Sequence, residues 1–178
     1  MRIIGGLHRS RRIAFPDVTG LRPTPDRVRE TLFNWLGQNL TGKRCLDLFA
    51  GSGVLGLEAA SRHAAEVVMV ESNRKVFHAL QTSVAQFPGI NIALYCEDAI
   101  KFIQRDSEKF DVIFLDPPFH KNYLPELLPK LIDKITDDSV IYIETGTEFE
   151  LGEEWQVLKR AQAGAVHYQL VQFAKNTK

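Results

Sequence analysis

Residues 46–56 read LDLFAGSGVLG, and this stretch decides the fold class. An apolar run containing Asp47 leads into Gly51, Gly53 and Gly56, which have the spacing G-x-G-x-x-G, and a helix-like LGLEAASR follows. A strand, a glycine turn and a helix in this order are typical of nucleotide-binding βαβ units, whose glycines let a ligand approach the backbone and let the helix pack on the strand. The stretch therefore predicts a ligand site at the carboxyl end of a parallel strand.

Strand-like and helix-like runs alternate through the rest of the chain. The runs RCLDLFA, EVVMVES, NIALYCED, FDVIFLD and SVIYIET are separated by helix-like segments. Strands that alternate with crossover helices form a parallel sheet covered on both faces. WQVLKRAQAG and AVHYQLVQF have no helix between them and predict an antiparallel hairpin at one edge of the sheet. The predicted fold class is α/β, doubly wound.

A helix is also predicted ahead of the first strand. Thr24 is expected to cap its N-terminus and Pro25 to occupy its first position. Apolar residues recur at helical spacing from Val28 to Leu36, and Gly37 favours a stop. We expect the apolar face of this helix to dock on the sheet.

The chain length indicates one globular domain, and the charge distribution gives this domain a basic N-terminal segment. The chain has 178 residues and a formal net charge of zero, yet its first thirty residues hold seven arginines, no lysine and three acids. Such a segment is a solvated tail or a phosphate-binding arm, and arginine alone favours phosphate because its planar fork matches phosphate oxygens. We predict a single domain at 1–178, with a basic arm at 1–23 and a catalytic core at 24–178.

The cysteines and the lack of a long apolar run indicate a cytoplasmic protein. Cys45 and Cys96 lie in apolar strand-like runs without metal-ligand spacing, so both are predicted to be buried thiols, and neither a disulfide nor a metal site is implied. The start MRIIGGLHRSRR is charged where a signal peptide needs apolar residues, and no run of about 18 apolar residues occurs. We predict no contact with a membrane.

Acids at the strand ends predict the cofactor. Glu71 lies 20 residues after Gly51, where an acid holds the ribose hydroxyls of a nucleoside, which fits both NAD and S-adenosylmethionine. Asp47 places a carboxylate beside the loop and suits a ligand with an ammonium and a sulfonium better than one with a pyrophosphate. Asp98 can accept from an adenine amine, and it can also cap a helix. S-adenosylmethionine is therefore predicted, held by these three acids with Gly51 and Gly53.

The fourth strand ends in FLDPPF, at residues 114–119. Two successive prolines remove two backbone donors, so the turn presents rigid carbonyls. An exocyclic amine is a poor nucleophile because its lone pair is delocalised; the carboxylate of Asp116 and the carbonyl of Pro117 can accept its two hydrogens while Phe119 stacks on the base. Chemistry of this kind requires a base outside its helix. The motif, which includes Pro118, predicts direct methyl transfer to an amine without a covalent enzyme intermediate.

Five stretches resemble the RsmD-like enzymes, the bacterial methyltransferases that modify the exocyclic N2 of a guanine in small-subunit (16S) ribosomal RNA. They are RIIGGLHRSRRI at 2–13, RPTPDRVRETLFNWL at 22–36, LDLFAGSGVLGLEAASR at 46–62, ES at 71–72 and DPPF at 116–119. The glycine loop and DPPF are shared by many amino-methyltransferases, whereas the first two stretches are narrower. The resemblance covers nearly the whole chain.

The resemblance implies a Rossmann-like, S-adenosylmethionine-dependent fold with a mostly parallel seven-stranded sheet. It also implies catalysis by the DPPF motif and an N-terminal arm that contacts 16S ribosomal RNA in an assembled or nearly assembled small subunit. The arginines assigned to RNA are Arg2, Arg9, Arg11, Arg12 and Arg22. Glycine is usual in this family where the chain has Ser10, so the turn of the arm differs here if that position requires a positive φ. No obligate protein subunit is implied.

Three other functions stay open at this point. Adenine-N6 methylation of DNA or RNA would use the same acid and carbonyl. An NAD-dependent oxidoreductase is permitted by Glu71 and the glycines but leaves Asp47 and DPPF unexplained. An RNA-binding assembly factor without turnover would not need an intact DPPF.

Overall fold

The structure is a computed structural model, and it describes residues 1–14 and 24–174. The helices are α1 (Asp26–Leu36), α2 (Val54–Ser61), α3 (Arg74–Val84), α4 (Ala99–Arg105), α5 (Leu124–Leu131) and a 3-10 helix at Ile132–Lys134. The strands are β1 (Arg44–Asp47), β2 (Glu66–Val70), β3 (Ile92–Tyr95), β4 (Phe110–Leu115), β5 (Ile135–Thr145), β6 (Trp155–Ala163) and β7 (Val166–Phe173). No helix in this described part of the chain is long and apolar enough to cross a membrane.

The seven strands form one sheet in the order β3-β2-β1-β4-β5-β7-β6. Strands β1 to β5 pair in parallel, whereas β7 runs antiparallel to both β5 and β6. The predicted α/β class and the antiparallel hairpin at one edge are confirmed. Because parallel strands end at the same edge of a sheet, the residues that follow β1 to β5 lie close together.

Hydrophobic side chains fill both faces of the sheet. Successive residues of a strand point to opposite faces, and the core follows this alternation: Cys45 and Phe114 belong to one buried cluster, Leu46 and Leu115 to the other. The first cluster includes side chains of α1, α2 and α3, and the second includes those of α4 and α5. Helices on both faces hold the strand ends in place, which fixes the positions of the site residues.

Helix α1 begins differently from the prediction. Pro25 occupies the N-cap position, and no side chain caps the helix. The hydroxyl of Thr24 instead donates to Oε2 of Glu144, 3.4 Å away and 120 residues later in the chain. The predicted cap role of Thr24 and first helical position of Pro25 are wrong, because a tertiary acceptor takes the hydroxyl from the local backbone. The end of the helix is as predicted, since Gly37 adopts a left-handed φ of 92°.

The two cysteines differ in exposure. Cys45 is buried in β1, and this burial raises the pKa of its thiol to about 12. Cys96 is exposed, so its predicted burial is wrong. β3 is an edge strand that ends at Tyr95, and Cys96 therefore follows the strand at the open side of the sheet.

Residues 1–14 fold back on themselves and pack on the protein. The backbone N–H of Ile3 donates to the carbonyl of Arg11 at 2.9 Å, and that of Ile13 donates to the carbonyl of Met1 at 3.0 Å. Ile3 is fully buried and Ile13 is 4% exposed. A solvated tail is therefore the wrong interpretation for this part of the arm. The expectation of a different turn depended on a positive φ at Ser10, and Ser10 adopts a φ of 68°, a conformation that favours glycine.

A buried carboxylate on α2 holds the arm. Glu58 accepts from the backbone N–H groups of Ile4, at 2.9 Å to Oε2, and Gly5, at 2.8 Å to Oε1. Arg29 and Arg62 pair with the same carboxylate at 3.4 and 2.9 Å, and all three charged side chains are buried. We call Glu58, Arg29 and Arg62 the arm clamp. Arg29 is one of the seven arginines near the N-terminus, and its role here is structural.

Candidate active site

A cavity of about 590 Å³ lies at the carboxyl ends of the parallel strands. The structure brings eight of the nine predicted catalytic and cofactor residues into its lining: Asp47, Gly51, Glu71, Asp98, Asp116, Pro117, Pro118 and Phe119. Gly53 does not line the cavity. These residues come from four different strand ends, and the parallel topology is what places them in one wall.

Glycine is favoured at each of the three positions of the loop for a different structural reason. Gly51 has a φ of 54°, and its N–H donates to Oε2 of Glu71 at 3.0 Å. Gly53 has a φ of 80°, and a Cβ there would lie 2.3 Å from Leu80 of α3. A Cβ on Gly56 would lie 2.4 Å from Met69 of β2, so this glycine lets α2 pack on the sheet, as predicted. The loop is therefore shaped by close packing as well as by positive φ.

Asp47 supplies a buried negative charge at the cavity wall. It is 2% exposed, and its Oδ1 has no hydrogen-bond partner among the described residues. Burial raises the pKa of this carboxyl to about 7; the N–H groups of Phe49 and Gly56 act in the opposite direction, and the charge of Glu71 adds to the rise. A buried acceptor without a partner is costly unless a ligand supplies a donor or a cation. Asp47 thus fits the cationic methionine part of S-adenosylmethionine.

The pKa of Asp47 predicts a pH dependence of cofactor binding. The pKa of Asp47 in the folded protein lies above the ordinary value of about 3.9 for an aspartate. Ionising Asp47 therefore lowers the free energy of unfolding as pH rises from about 4 through about 7. A cation bound beside the carboxylate stabilises its ionised form and so offsets the cost of ionising Asp47 in the folded protein. We therefore expect the affinity for S-adenosylmethionine to rise about tenfold between pH 6 and pH 8, as measured by calorimetry.

The Asp47→Asn variant should bind the cofactor at least about tenfold more weakly at pH 8 and lose most of the pH dependence. Glu97→Gln is the matched control, because this substitution removes another carboxylate from the cavity lining and leaves Asp47 unchanged. The control should keep the wild-type pH dependence. A wild-type affinity that does not change with pH would show that Asp47 does not meet a cation.

Glu71 and Asp98 both accept hydrogen bonds from backbone N–H groups and also line the cavity. Besides Gly51, Glu71 accepts from the N–H of Asn73 at 2.7 Å through Oε1. Asp98 caps α4 by accepting from the N–H groups of Ile100 and Lys101 at 3.0 and 3.2 Å, both through Oδ1. A carboxylate has about four acceptor positions, so these bonds orient each acid and leave capacity for a nucleoside.

The DPPF turn directly follows β4 and closes one side of the cavity. Pro117 is buried, whereas Phe119 is 42% exposed. The carbonyl of Pro118 accepts from the N–H of Lys121 at 2.9 Å, which tightens the turn. A Cβ on Gly146 would lie 2.5 Å from the ring of Phe119, so this glycine makes room for the ring. Phe119 therefore lies at the mouth of the cavity with one side against backbone.

Sequence reasoning missed three residues of the site. Glu144, at the carboxyl end of β5, is 4% exposed and lines the cavity together with Thr24. The hydroxyl of Tyr142 donates to Oε2 of Glu144 at 2.9 Å. The signal for Glu144 was present, because SVIYIET places an acid at a strand end as the other four strands do. No comparable signal existed for Thr24 and Tyr142.

Four of the five arginines assigned to RNA are described, and none of these four lines the cavity. Arg2, Arg9, Arg11 and Arg12 are exposed on the packed arm. Arg11 donates to the carbonyl of Gln86 and lies 5.4 Å from the centre of the Phe87 ring. Arg22 falls outside the described residues. Within residues 1–14 and 24–174, no group of three or more His, Cys, Asp or Glu side chains is arranged to hold a metal ion.

Comparisons with known proteins agree with this geometry. The family model described as Conserved hypothetical protein 95 matches residues 1–172. Ribosomal RNA small subunit methyltransferase D of Escherichia coli K12 is 41% identical over 177 residues, covering 97% of this chain and 89% of that protein. The protein of the same name from Haemophilus influenzae is 39% identical over 185 residues, covering 97% and 93%. A solved Escherichia coli structure that carries a methyltransferase name superposes with a TM-score of 0.87, at 37% identity and 97% coverage of each chain.

Proposed function

The chain belongs to the family of ribosomal RNA small subunit methyltransferase D proteins, and from that premise we propose that it methylates the exocyclic N2 of a specific guanine in 16S ribosomal RNA. The substrate is the assembled or nearly assembled small subunit, and the base is flipped out of its helix. S-adenosylmethionine is the expected cofactor, in agreement with the methyltransferase relatives. The observation that carries the proposal is that the DPPF turn lines the same cavity as Asp47, Gly51 and Glu71.

The proposed mechanism is a direct transfer. S-adenosylmethionine, when bound, supplies an electrophilic methyl group. The carboxylate of Asp116 and the carbonyl of Pro117 accept the two amine hydrogens of the base, which favours the pyramidal nitrogen that can attack. With S-adenosylmethionine bound, nitrogen would bond to its methyl carbon as the carbon–sulfur bond breaks, and the electron pair of that bond would stay on sulfur. Asp116 then takes the surplus proton, while Phe119 stacks on the base and aligns nitrogen, carbon and sulfur.

The arm supplies the proposed contact with RNA. Its exposed guanidinium groups lie on a segment that the arm clamp fixes to α2, so they form a preformed basic surface. Phosphate contacts of this kind give affinity that falls steeply with salt. Because the chain is short, recognition of RNA shape on the subunit is a better match than reading of a defined duplex sequence.

Replacing Arg9 and Arg12 by Glu should weaken binding to small subunits at least about tenfold at physiological salt and reduce the salt dependence of binding. Cofactor affinity should stay within about twofold of wild type. Lys159→Glu is the matched control, because Lys159 is exposed on edge strand β6. The arm instead contacts Gln86, which lies between α3 and β3, and β3 is the opposite edge of the sheet. Equal losses of RNA and cofactor affinity in the arm variant would contradict this role.

The function itself is tested by transfer of labelled methyl from S-adenosylmethionine to unmethylated small subunits, naked 16S RNA and duplex DNA, with identification of the labelled nucleoside. We expect N2-methylguanosine on the subunit. Label on adenine would overturn the guanine assignment, and label on DNA would overturn the RNA substrate. Thermal stabilisation by NAD and not by S-adenosylhomocysteine would support an oxidoreductase instead. Cofactor binding without any transfer would point to an assembly factor.

A further inference from the structure

Lys121 lies where the active-site cavity meets a second cavity. The second cavity, which we call the side cavity, has a volume of about 340 Å³. Residues 117–121 line both cavities, so the DPPF turn and the two residues after it form their common border. Phe119 and Lys121 are both exposed at this border. A ligand in either cavity can therefore meet Lys121.

The backbone fixes the place of Lys121 beside the DPPF turn. Its N–H donates to the carbonyl of Pro118 at 2.9 Å, and its carbonyl accepts from the N–H of Tyr123 at 3.1 Å. The ammonium lies 5.8 Å from the centre of the Tyr123 ring, a distance at which an aromatic face attracts a cation. The centre of the Tyr123 ring is in turn 5.0 Å from that of Phe49. These contacts hold the positive charge of Lys121 at the border of the two cavities.

The ammonium of Lys121 is available to a ligand. Lys121 is exposed, and within residues 1–14 and 24–174 no hydrogen bond or ion pair joins its ammonium to another residue. An ammonium is a compact charge with three hydrogen-bond donors and no acceptor. The group that matches such a set of donors is an anion that offers several oxygens, such as a phosphate.

A flipped base brings phosphates to this position. The base stays joined to the RNA backbone, so the phosphates on its 5′ and 3′ sides lie at the mouth of the active-site cavity. The described lining of this cavity is rich in acids, and Lys121 is its one lysine or arginine. Carboxylates repel a phosphate at short range, whereas an ammonium attracts it. Lys121 thus supplies a positive charge where the backbone of a flipped nucleotide needs one.

The lining of the side cavity suits a nucleotide. Three of its side chains are aromatic, namely Phe119, Tyr123 and Phe149, and the exposed polar residues Asn122 and Thr147 belong to the same lining. Aromatic rings together with hydrogen-bonding groups are the means by which proteins hold unpaired RNA bases. An RNA chain that leaves the active-site cavity past Lys121 therefore enters a cavity of suitable chemistry.

We propose that Lys121 binds the phosphate on one side of the methylated guanine, and that the next nucleotide on that side occupies the side cavity. This inference rests on the flipped RNA base proposed above. The phosphate takes no part in methyl transfer, so Lys121 contributes to substrate binding equally before and during the reaction. Whereas the arm attracts RNA outside the active-site cavity, Lys121 fixes the backbone of the flipped nucleotide itself.

The test removes the charge of each partner in turn. Small subunits are reconstituted with a methylphosphonate, an uncharged analogue of the phosphate, on the 5′ or on the 3′ side of the guanine that wild type methylates. Wild type and Lys121→Gln are assayed on these and on unmodified subunits, which gives a double-mutant cycle for each side. Lys159→Gln is the matched control, because Lys159 is exposed and lines neither cavity.

We expect the methylphosphonate on one side to lower kcat/KM of wild type about tenfold, chiefly through a higher KM. Lys121→Gln should lose about tenfold on unmodified subunits and nothing further on subunits with that methylphosphonate. Lys159→Gln should match wild type on every substrate. Lys121→Gln should bind S-adenosylhomocysteine within about threefold of wild type, which shows that its fold and cofactor site are intact.

The occupant of the side cavity is tested by removing the neighbouring base. An abasic nucleotide on the side where the methylphosphonate acts should lower kcat/KM of wild type about tenfold, because its base no longer contacts the aromatic rings. An abasic nucleotide on the other side should leave the rate within about twofold of wild type.

Three results would overturn the inference while leaving the proposed function intact. One is a Lys121→Gln enzyme that loses the same factor on methylphosphonate subunits as wild type does, because Lys121 would then not meet that phosphate. Another is a wild-type enzyme that tolerates the methylphosphonate on both sides. The third is a wild-type rate that does not depend on the neighbouring base of that side. Absence of N2-methylguanosine from the subunit in the wild-type transfer experiment would overturn the proposed function and this inference together.

Discussion

Replacing Asp116 by Asn should lower the rate of methyl transfer to unmethylated small subunits by about 10²–10³-fold, the range found when one electrostatic contact to a developing charge is lost. The amide that replaces the carboxylate is neutral and carries hydrogens, which oppose those of the amine. It also cannot take the proton that the nitrogen releases. The loss should appear mainly in kcat, because the contact strengthens as the nitrogen becomes an ammonium.

The control for this prediction is Asp138→Asn. Asp138 is exposed and lies in the first half of β5, away from the carboxyl end of the strand. This variant should retain the wild-type rate, and both variants should bind S-adenosylhomocysteine with wild-type affinity. An Asp116→Asn enzyme with more than a tenth of the wild-type rate would remove Asp116 from the chemistry.

Replacing Glu58 by Gln should lower the free energy of unfolding by about 3–5 kcal/mol, because it removes the negative charge that pairs with the buried guanidinium of Arg62 and leaves the buried guanidinium of Arg29 with Asp26. The carboxylate accepts from two backbone N–H groups of the arm and pairs with both arginines of the clamp, so one change weakens all four interactions. Denaturant unfolding measures the loss. The arm should also become more sensitive to proteases than the rest of the chain.

A surface pair provides the comparison. Glu66 pairs with Arg44 at 2.7 Å, and its side chain is 30% exposed. Glu66→Gln should cost less than about 1 kcal/mol, since ion pairs near solvent contribute little. Similar losses for Glu58→Gln and Glu66→Gln would mean that the arm clamp is no stronger than an ordinary surface pair.

The sequence predicts those features of the fold that local pattern controls. Alternating apolar runs predict the parallel sheet, and strand-end acids predict four of the six acids that line the cavity, with Glu97 and Glu144 not predicted. The arm clamp and the Thr24 contact are not predicted, because their partners lie far away in sequence. Glu58 in LGLEAASR has the appearance of an ordinary exposed helical acid. Cys96 shows the same limit, since an apolar run does not tell an edge strand from a central one.

The acids at the strand ends make the cavity wall acidic. The acids that line the cavity, within the part of the chain that the structure describes, are Asp47, Glu71, Glu97, Asp98, Asp116 and Glu144, whereas Lys121 is the lone lysine or arginine. Under the proposed function, such a wall disfavours phosphate and favours an uncharged base, while the exposed guanidinium groups of the arm attract the polyanion elsewhere. The zero net charge of the chain thus conceals two surfaces of opposite charge, which the proposed function would use as an electrostatic filter that keeps the RNA backbone outside the cavity.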